Sequence, residues 1–402
     1  MNTFPLPAYI LTCINALETA GFEAFVAGGA VRDHLLGRPV HDYDLATSAR
    51  PEQMLGIFRS YHTDTTGLKH GTLRVIVDHH PVEITAYRCE DTYEDHRRPD
   101  HVRFSTSLHE DCARRDLTIN AMAYSPHTGI VDDYGGIHDL EHRIIRTVGD
   151  PVQRFSEDAL RILRTVRFAA ELGFDTDPDT RKAVLSKCGD LHYIAPERIR
   201  EEFYRILASA GCADSFRTYF PVYLTFLPVL SVYTDTMIEE TARKLEESPS
   251  VPLLRAALIL APAGKEKAVN ALSALRPAAA DLRQMKEYYD ASVHPLQTLY
   301  DARCLCARYA VDPACLLAYR SLQYGTDTAE FLNMCRKIRE RGDCITLKQL
   351  AVTGSDITAL GIRGQQIGTT LHTLLDEVMR DLLPNDKDAL LTRAEQLQKQ
   401  TH

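Results

Sequence analysis

Three carboxylates in the first quarter of the chain have the type and spacing of a metal site. Asp42 and Asp44 are separated by one residue, and the apolar pair Leu45 and Ala46 continues a strand-like run. Alternate residues of a strand face the same side, so both carboxylates can reach one cation. Mg²⁺ prefers oxygen ligands and usually takes one or two carboxylates together with substrate phosphates. Glu83, in an apolar run, is the third candidate. That it lies close to Asp42 and Asp44 in the fold is an inference.

Two divalent cations held by three carboxylates can stabilise both the attacking and the leaving oxygen of an in-line phosphoryl displacement. A glycine-rich turn upstream could bind the phosphates, since residues 28–33 read Gly-Gly-Ala-Val-Arg-Asp. Bare glycines let the backbone approach phosphate oxygens, and a helix N-terminus offers free N–H groups. Arg32 could add a charge-assisted contact. Such turns are common without ligands, but this one closely precedes Asp42 and Asp44, which favours nucleotide chemistry.

The elements that must position these residues follow from hydrophobic periodicity. In the first part, helices are predicted over residues 9–17 and 30–36, and strands over 22–27, 42–46, 72–77 and 82–87. The last two strands form a predicted hairpin around residues 79–81. From about residue 150 strand signals almost vanish, and helical spacing covers 154–172, 178–186, 196–209 and many later segments. We therefore predict an α+β fold, with a small mixed sheet in a head followed by an elongated all-helical part.

Length, composition and charge limit the possible functions. A chain of 402 residues with 45% hydrophobic and 25% charged residues predicts a globular protein of two to four domains. No apolar run is long enough to span a membrane, and no secretory signal is visible, so we expect a cytoplasmic protein. The net charge of −9 argues against a general nucleic-acid coat, so any RNA contact must use local basic faces. The mid-chain candidates are Arg143, Arg146, Arg154, Arg161, Arg164 and Arg167.

Two other features are interpreted as structural. Residues 336–341 are rich in Arg and Lys, and a solvated helix face is the favoured interpretation. The ten cysteines are scattered without a Cys-x-x-Cys pair, which favours reduced, packed thiols over a zinc site or a disulfide frame.

The glycine turn followed by Asp-x-Asp resembles the head of class II tRNA nucleotidyltransferases, the family of CCA-adding enzymes and poly(A) polymerases. Further stretches agree in the family's order: Asp-His-Arg-Arg-Pro-Asp (95–100), Arg-Arg-Asp-Leu-Thr-Ile-Asn-Ala (114–121), Asp-x-Gly-Gly-x-x-Asp-Leu (133–140), Glu-Asp-x-x-Arg-x-x-Arg (157–164) and Glu-Arg-Ile-Arg-Glu-Glu (197–202). The resemblance is strong over the first 205 residues or so. It returns at 354–391, which is similar to the tail of the short bacterial type without an HD domain.

This resemblance implies a four-part chain and a specific reaction. The parts are a catalytic nucleotidyltransferase head (1–147), a base-recognising neck (148–205), a helical body (206–335) and a helical tail that binds tRNA (336–402). The implied reaction is template-independent addition of CCA to the 3′ end of tRNA from CTP and ATP, releasing pyrophosphate at a two-metal Mg²⁺ site. The implied partners are tRNA lacking all or part of its CCA, CTP and ATP, with no DNA and no membrane.

The resemblance also implies roles for individual residues. Asp42 and Asp44 would hold the catalytic metals, with Glu83 as the third catalytic carboxylate. The nucleotide-binding residues would be Gly29 and Arg32 on the triphosphate, Arg115 in support of the nucleotide, and Asp158, Arg161, Arg164 and Arg167 on the neck helix.

Base selection by the neck can be rebuilt from chemistry. Asp158 and Arg161 are three residues apart, hence neighbours if the helix is continuous. A carboxylate only accepts hydrogen bonds and a guanidinium only donates them. Cytosine and adenine present an amino donor beside a ring-nitrogen acceptor, whereas guanine and uracil present the opposite order. One Asp–Arg pair therefore suits C and A. The alternative is an ordinary ion pair on an amphipathic helix.

Other members of the same family remain alternatives. Poly(A) polymerases of the family usually carry a basic extension, whereas this chain is acidic. CC-only enzymes typically lack part of the loop before Arg114, whereas residues 90–101 are all present here. We predict that this polar segment is a mobile loop needed to switch from C to A addition. An A-adding enzyme is a further alternative. A more remote one is a non-catalytic tRNA-binding protein, although such a protein would be expected to have lost a carboxylate.

Overall fold

A computed structural model describes residues 4–89 and 103–400. The chain divides into two compact units, Met1–Ser231 and Val232–His402. Residues 90–101, the predicted switching loop, lie outside the described residues. Every cysteine of the chain is described and free, as the sequence predicted.

The first unit begins as alternating helices and strands. Its elements are, in order, α1 (Ala8–Thr19), β1 (Ala24–Ala27), α2 (Gly29–Leu35), β2 (Asp44–Thr47), α3 (Pro51–Ile57), β3 (His62–Asp64), β4 (Thr72–Val77), β5 (His80–Ala86), α4 (Leu108–Ala113), β6 (Ala123–Ser125), β7 (Gly129–Val131), α5 (Gly136–Glu141) and β8 (Ile144–Ile145). Then follow α6 (Pro151–Glu157), α7 (Leu160–Leu172), β9 (Asp175–Thr176), α8 (Pro178–Lys187), α9 (Pro196–Ala208), α10 (Cys212–Thr218) and α11 (Phe220–Phe226).

The described strands form a mixed seven-stranded sheet in the order β3-β4-β5-β2-β1-β6-β7. Only the β2–β5 pair is parallel among these neighbours. A short parallel pair, β8 with β9, ties the segment before α6 to the segment after α7. The α+β fold class is confirmed, because this sheet precedes a predominantly helical remainder.

Strand alternation gives the sheet two different faces. In β4, Leu73, Val75 and Val77 are buried, whereas Arg74 between them is exposed. The buried side chains pack in one hydrophobic core with α1 and with Met54 of α3. Because successive strand residues point to opposite faces, Arg74, Glu83 and Asp44 share the other face, which is polar at these residues and buried at Phe25 and Ala46.

The β4–β5 hairpin confirms the sequence prediction and corrects its turn. Asp78 and His79 both have positive φ, +48° and +66°, which is the geometry of a tight two-residue turn that matches strand twist. β4 has the predicted bounds, and β5 begins at His80, inside the predicted turn. Similarly, β2 begins at Asp44 rather than at residue 42, so Asp42 lies just before the strand.

The predicted helix over residues 154–172 is interrupted. Asp158 has extended backbone angles, φ −142° and ψ 102°, and separates α6 from α7. Its carboxylate accepts the backbone N–H of Leu160 at 3.0 Å, so the side chain helps to start α7. Short side chains that bond to nearby backbone favour such junctions over helix interiors. The continuous helix was therefore wrong at this point.

The second unit is helical throughout its described residues. Its helices are α12 (Asp235–Glu247), α13 (Pro252–Leu260), α14 (Lys265–Ala274), α15 (Ala279–Ala291), α16 (Leu299–Arg308), α17 (Pro313–Tyr324), α18 (Ala329–Arg341), α19 (Gly354–Ala359), α20 (Gln365–Met379) and α21 (Lys387–Gln400). Part of its core gathers α19, α20 and α21 around Leu374. In neither unit do the described residues contain a helix long and apolar enough to cross a membrane.

Candidate active site

A cavity of about 620 Å³ lies in the first unit, between the polar face of the sheet and the helices that follow it. Among the described residues, nine arginines and six carboxylates line it. The cavity is thus rich in fixed charge of both signs with a positive excess, which suits an anionic ligand that also carries cations. Every predicted nucleotide-binding residue lines this cavity: Gly29, Arg32, Arg115, Asp158, Arg161, Arg164 and Arg167.

The sheet places two of the three predicted carboxylates side by side. Asp44 on β2 lies opposite Glu83 on β5 in the parallel pair. Both line the main cavity and also an adjacent cavity of about 500 Å³, which Asp42 lines as well. The structure therefore brings Asp44 and Glu83 together and places Asp42 at the neighbouring opening.

The electrostatics of Asp44 fit a cation. Desolvation raises the pKa of Asp44 above its usual range, repulsion by Glu83 and Asp42 adds to the rise, and Arg115 opposes it. A cation would relieve this repulsion, and carboxylate oxygens are the ligands that Mg²⁺ prefers. Within residues 4–89 and 103–400, however, no three His, Cys, Asp or Glu side chains are already grouped to hold a metal ion.

The glycine turn is packed against the arginine that the sequence assigned to the nucleotide. Gly28 has φ +71°, and a Cβ there would lie 2.8 Å from Arg115 Nη1. Arg115 Nη1 also donates to the carbonyl of Asn120 at 3.2 Å. Arg115 Nε is buried and has no hydrogen-bond partner in the described part of the chain. A buried donor without an acceptor costs free energy, so the packing around Arg115 must compensate for it.

Arg32 is held rigidly at the cavity wall. Its guanidinium donates to Asp33 at 2.9 Å and 3.0 Å and to Asn120 Oδ1 at 2.6 Å. The same group lies 4.9 Å from the ring centre of Phe168 on α7. The ion pair with Asp33, the hydrogen bond to Asn120 and the Phe168 ring fix the direction of the guanidinium before any ligand binds. A guanidinium held in this way can bind phosphate oxygens through charge-assisted hydrogen bonds.

Two buried aspartates hold the arginines around the cavity. Asp111 accepts from Arg114 at 2.5 Å and from Arg115 at 3.0 Å. Burial acts to raise the pKa of Asp111, but these two guanidinium groups outweigh it and keep the pKa below its usual range. Asp116 accepts from Arg164 Nε at 2.6 Å. Burial also acts to raise the pKa of Asp116, but Arg164 and the other donors outweigh it and lower this pKa to about 2.

The proposed base-reading residues both reach the cavity but do not pair with each other. Asp158 lies 3.5 Å from Arg198 of α9, and Arg161 donates to Glu157 at 2.6 Å and to the carbonyl of Arg114 at 2.8 Å. Since Asp158 sits at a helix junction, the three-residue spacing does not make an ion pair here. The ordinary helix-face pair, which was the alternative interpretation, is therefore not formed.

Arg167 is the most enclosed of the predicted nucleotide contacts. It donates to Glu202 at 2.6 Å and to Glu171 at 2.8 Å, and its guanidinium lies 3.9 Å from the centre of the Phe168 ring. The Glu202 contact joins α7 to α9. Arg164 also lies near the ring, at 5.7 Å.

Several residues of this site were not singled out from the sequence. Asp116 and Asn120 lie in the stretch 114–121 and Glu202 in the stretch 197–202, so the family pattern pointed to their neighbourhood. Asp111 and Phe168 had no such signal. They become recognisable only when the fold brings arginines from separate elements onto one carboxylate or one ring.

Known proteins share this fold and these motifs. The model of the poly A polymerase head domain matches residues 24–146. A second model, described as a probable RNA and SrmB-binding site of polymerase A, matches residues 173–220.

Curated relatives match over almost the whole chain. A CCA-adding enzyme from Lacticaseibacillus paracasei is 34% identical over 96% of this chain and 95% of its own length. A CCA-adding enzyme from Pediococcus pentosaceus is also 34% identical, over 96% of this chain and 97% of its own. The crystal structure of the Bacillus stearothermophilus CCA-adding enzyme in complex with CTP is 29% identical, with a TM-score of 0.80 over 98% of both chains.

Proposed function

The chain belongs to the class II family of CCA-adding enzymes, and from that premise we propose that it adds CCA to the 3′ end of tRNA. The substrates are CTP, ATP and tRNA lacking all or part of its CCA, and each step releases pyrophosphate. The observation that carries the proposal is the in-register pair of Asp44 and Glu83 at the wall of an arginine-lined cavity. This arrangement combines carboxylates for cations with guanidinium groups for a triphosphate.

The catalytic carboxylates are Asp42, Asp44 and Glu83, with Asp42 and Asp44 as the metal ligands. Nucleotidyltransferases typically use divalent metal ions, and we assign Mg²⁺ to this site. Bound there, the cations would neutralise the triphosphate and activate the attacking 3′ hydroxyl of the tRNA. The repulsion among the carboxylates around Asp44 supports this assignment.

The cavity arginines bind and orient the nucleotide. Arg32 and the backbone at Gly29 hold the triphosphate, and the guanidinium of Arg115 adds a positive charge that acts on Asp44. Arg164 and Arg167 complete the wall on α7. Because these guanidinium groups are held by carboxylates before the ligand arrives, little side-chain entropy is lost when the nucleotide binds.

Asp158 and Arg161 select the base. The hydrogen bonds of Arg161 within the protein use Nη1 and one hydrogen of Nη2, which leaves Nε–H and the second Nη2 hydrogen as donors for a base. Asp158 lines the same cavity. An acceptor beside a donor fits cytosine and adenine and opposes guanine and uracil.

We also propose the four-part organisation: head 1–147, neck 148–205, body 206–335 and tRNA-binding tail 336–402. The reaction draws on cytoplasmic CTP, ATP and tRNA, so we place the enzyme in the cytoplasm.

The test is incorporation of labelled CTP and ATP into tRNA transcripts that end before CCA, after C and after CC. We expect CMP on the first two, AMP on the third, and no extension of an unrelated RNA. A CC-adding enzyme would leave the third transcript unchanged, and an A-adding enzyme would extend only that one. A poly(A) polymerase would extend the unrelated RNA with ATP alone. A non-catalytic protein would incorporate nothing.

A further inference from the structure

Four charged residues form one row across four neighbouring strands of the first unit. Asp64 on β3 lies opposite Arg74 on β4, Arg74 opposite Glu83 on β5, and Glu83 opposite Asp44 on β2. Side chains that are directly opposite on adjacent strands lie on the same face within contact distance. We call these four residues the charged row. It puts a single cationic side chain next to a carboxylate of the proposed metal site.

Arg74 holds Glu83 more closely than it holds Asp64. Its Nη2 and Nε both donate to Glu83 Oε1, at 2.6 Å and 3.2 Å. Its Nη1 lies 3.8 Å from Asp64 Oδ2. The side chains of Arg74 and Glu83 are 49% and 45% exposed, so the contact can open without disturbing the core.

Asp64 is arranged as a second partner for the same guanidinium. Its other oxygen, Oδ1, accepts the backbone N–H of Thr66 at 2.9 Å and the Thr66 hydroxyl at 2.6 Å. These two bonds fix the carboxylate with Oδ2 directed towards Arg74. A small rotation of the arginine would exchange one carboxylate for the other.

We propose that Arg74 is a built-in counter-ion of the metal site, which holds Glu83 until a divalent cation binds and is then retained by Asp64. The proposal rests on the proposed function, in which Glu83 is the third catalytic carboxylate. Both guanidinium hydrogen bonds end on Oε1 of Glu83, so a cation must compete with Arg74 for that oxygen and for the negative charge of the carboxylate. Exposed ion pairs contribute little free energy because water screens them, so a divalent cation can displace this one.

The test is a titration of the full chain with Mn²⁺ in the absence of nucleotide and RNA, in which electron paramagnetic resonance measures the fraction of Mn²⁺ bound. Arg74→Gln removes the competing charge and frees Glu83, so we expect Mn²⁺ to bind about two- to five-fold more tightly. Arg59→Gln is the matched control, since Arg59 is an exposed arginine of the same unit without an ion pair in the described residues. We expect its Mn²⁺ affinity to equal that of the wild type.

A double-mutant cycle separates the exchange from simple charge effects. Asp64→Asn removes the second partner, so we expect weaker Mn²⁺ binding while Arg74 is present and little further change in the Arg74→Gln background. Equal effects of Asp64→Asn in both backgrounds would overturn the exchange, because Asp64 would then act only as a distant charge.

The outcomes also distinguish this inference from the proposed function. If the wild type incorporates CMP and AMP but Arg74→Gln leaves Mn²⁺ affinity unchanged or weaker, the inference alone is overturned. A raised KM for CTP without a change in Mn²⁺ affinity would instead make Arg74 a phosphate contact. If the wild type neither binds Mn²⁺ nor incorporates nucleotide, the proposed function fails and the inference fails with it.

Discussion

Asp44 is the residue on which the proposed chemistry depends most directly. It lies beside Glu83 in the parallel strand pair and lines both cavities of the site. Its pKa is raised by desolvation and by the neighbouring carboxylates, so its charge is stabilised most when a cation is bound. Strand pairing with β5 sets its position next to Glu83.

Asp44→Asn keeps the shape of the side chain and removes its charge. We expect CMP and AMP incorporation to fall together, by about 100-fold or more, because metal-assisted charge stabilisation contributes several kcal/mol to the transition state. Asp78→Asn, in the exposed hairpin turn, is the matched control and should retain activity. Gel-shift binding of tRNA should survive in both variants. Near-normal incorporation by Asp44→Asn would remove this residue from the catalytic site.

Asp116 makes a pH-dependent contribution to stability through Arg164. Its pKa falls from an ordinary value of 3.8 to about 2 in the folded chain. A lowered pKa stabilises the fold above the unfolded value, and this stability is lost as the pH falls through the folded value. The pair should therefore contribute about 2 kcal/mol at neutral pH and progressively less between about pH 4 and pH 2.

Asp116→Asn tests that contribution. We expect the variant to be less stable than the wild type by about 2 kcal/mol near pH 7, with the gap narrowing below about pH 4. Urea unfolding followed by circular dichroism at several pH values measures the gap. A difference that stays constant down to about pH 2 would mean that packing, rather than the ion pair, stabilises the wild type.

The residue types of the site could be predicted from sequence, but their partners could not. The glycine turn and the Asp-x-Asp spacing made Gly29, Arg32, Asp42 and Asp44 candidates because these signals are local. The contact of Arg74 with Glu83 depends on the register of β4 and β5, and that of Arg164 with Asp116 joins residues 48 positions apart. Neither distance is encoded in a short pattern.

At the scale of elements, the junction between α6 and α7 places the proposed base reader. Asp158 interrupts the helix and faces Arg198, so its carboxylate points to the cavity rather than along a helix surface. An interruption of this kind fixes the direction of one side chain through the backbone itself. Hydrophobic spacing ran through residues 154–172 without a break, and so the sequence predicted one helix.

Asp158→Ala should weaken selection of the base. The acceptor for the amino group of cytosine and adenine is lost, and a hydrogen bond to a charged group is worth on the order of ten-fold in discrimination. We expect the kcat/KM ratios of CTP over UTP and of ATP over GTP to fall by about that factor. Asp179→Ala, an exposed carboxylate in the first turn of α8, should leave both ratios unchanged. Undiminished selection by Asp158→Ala would place base reading elsewhere.

Helix α7 organises the arginines through one aromatic ring. Phe168 is 6% exposed and has Arg32, Arg164 and Arg167 within 6 Å of its ring centre. Cations over an aromatic face are attracted by about 0.5–2 kcal/mol each, the larger values applying where water is excluded. The ring therefore contributes to the direction of guanidinium groups that come from α2 and α7.

Phe168→Leu retains apolar volume and removes the ring. We expect KM for CTP and ATP to rise several-fold with a smaller change in kcat, since the arginines lose a shared support. Phe168→Tyr keeps the aromatic face and should restore KM. If Leu and Tyr variants behave alike in steady-state assays, the ring acts only as packing.

At the scale of the whole molecule, charge is distributed unevenly. The chain carries a net charge of −9, yet arginines outnumber carboxylates around the cavity of the first unit. A positive cavity in a chain of net negative charge directs anionic ligands to that cavity, and the net charge disfavours general adhesion to nucleic acid. This fits an enzyme that acts on one RNA end rather than coating RNA.

The order of the fold along the chain was predictable because its two parts have different periodicities. Alternation identified β4 and β5, and helical spacing identified α8 and α9 to within a few residues at each end. The short strands β3, β6 and β7, three residues each, were missed because so few residues establish no alternation. Their place in the sheet is fixed by pairing with neighbours that are distant in sequence.

The central claim is that this chain completes a tRNA end with three specific nucleotides. The most direct measurement is the sequence of the 3′ ends after a tRNA transcript without CCA is incubated with CTP, ATP and Mg²⁺. The account predicts that products end in CCA and stop there, even with excess ATP, and that the Asp44→Asn variant leaves the transcript unextended. Products that stop at CC, continue into an A tail, or form equally well with the variant would contradict it.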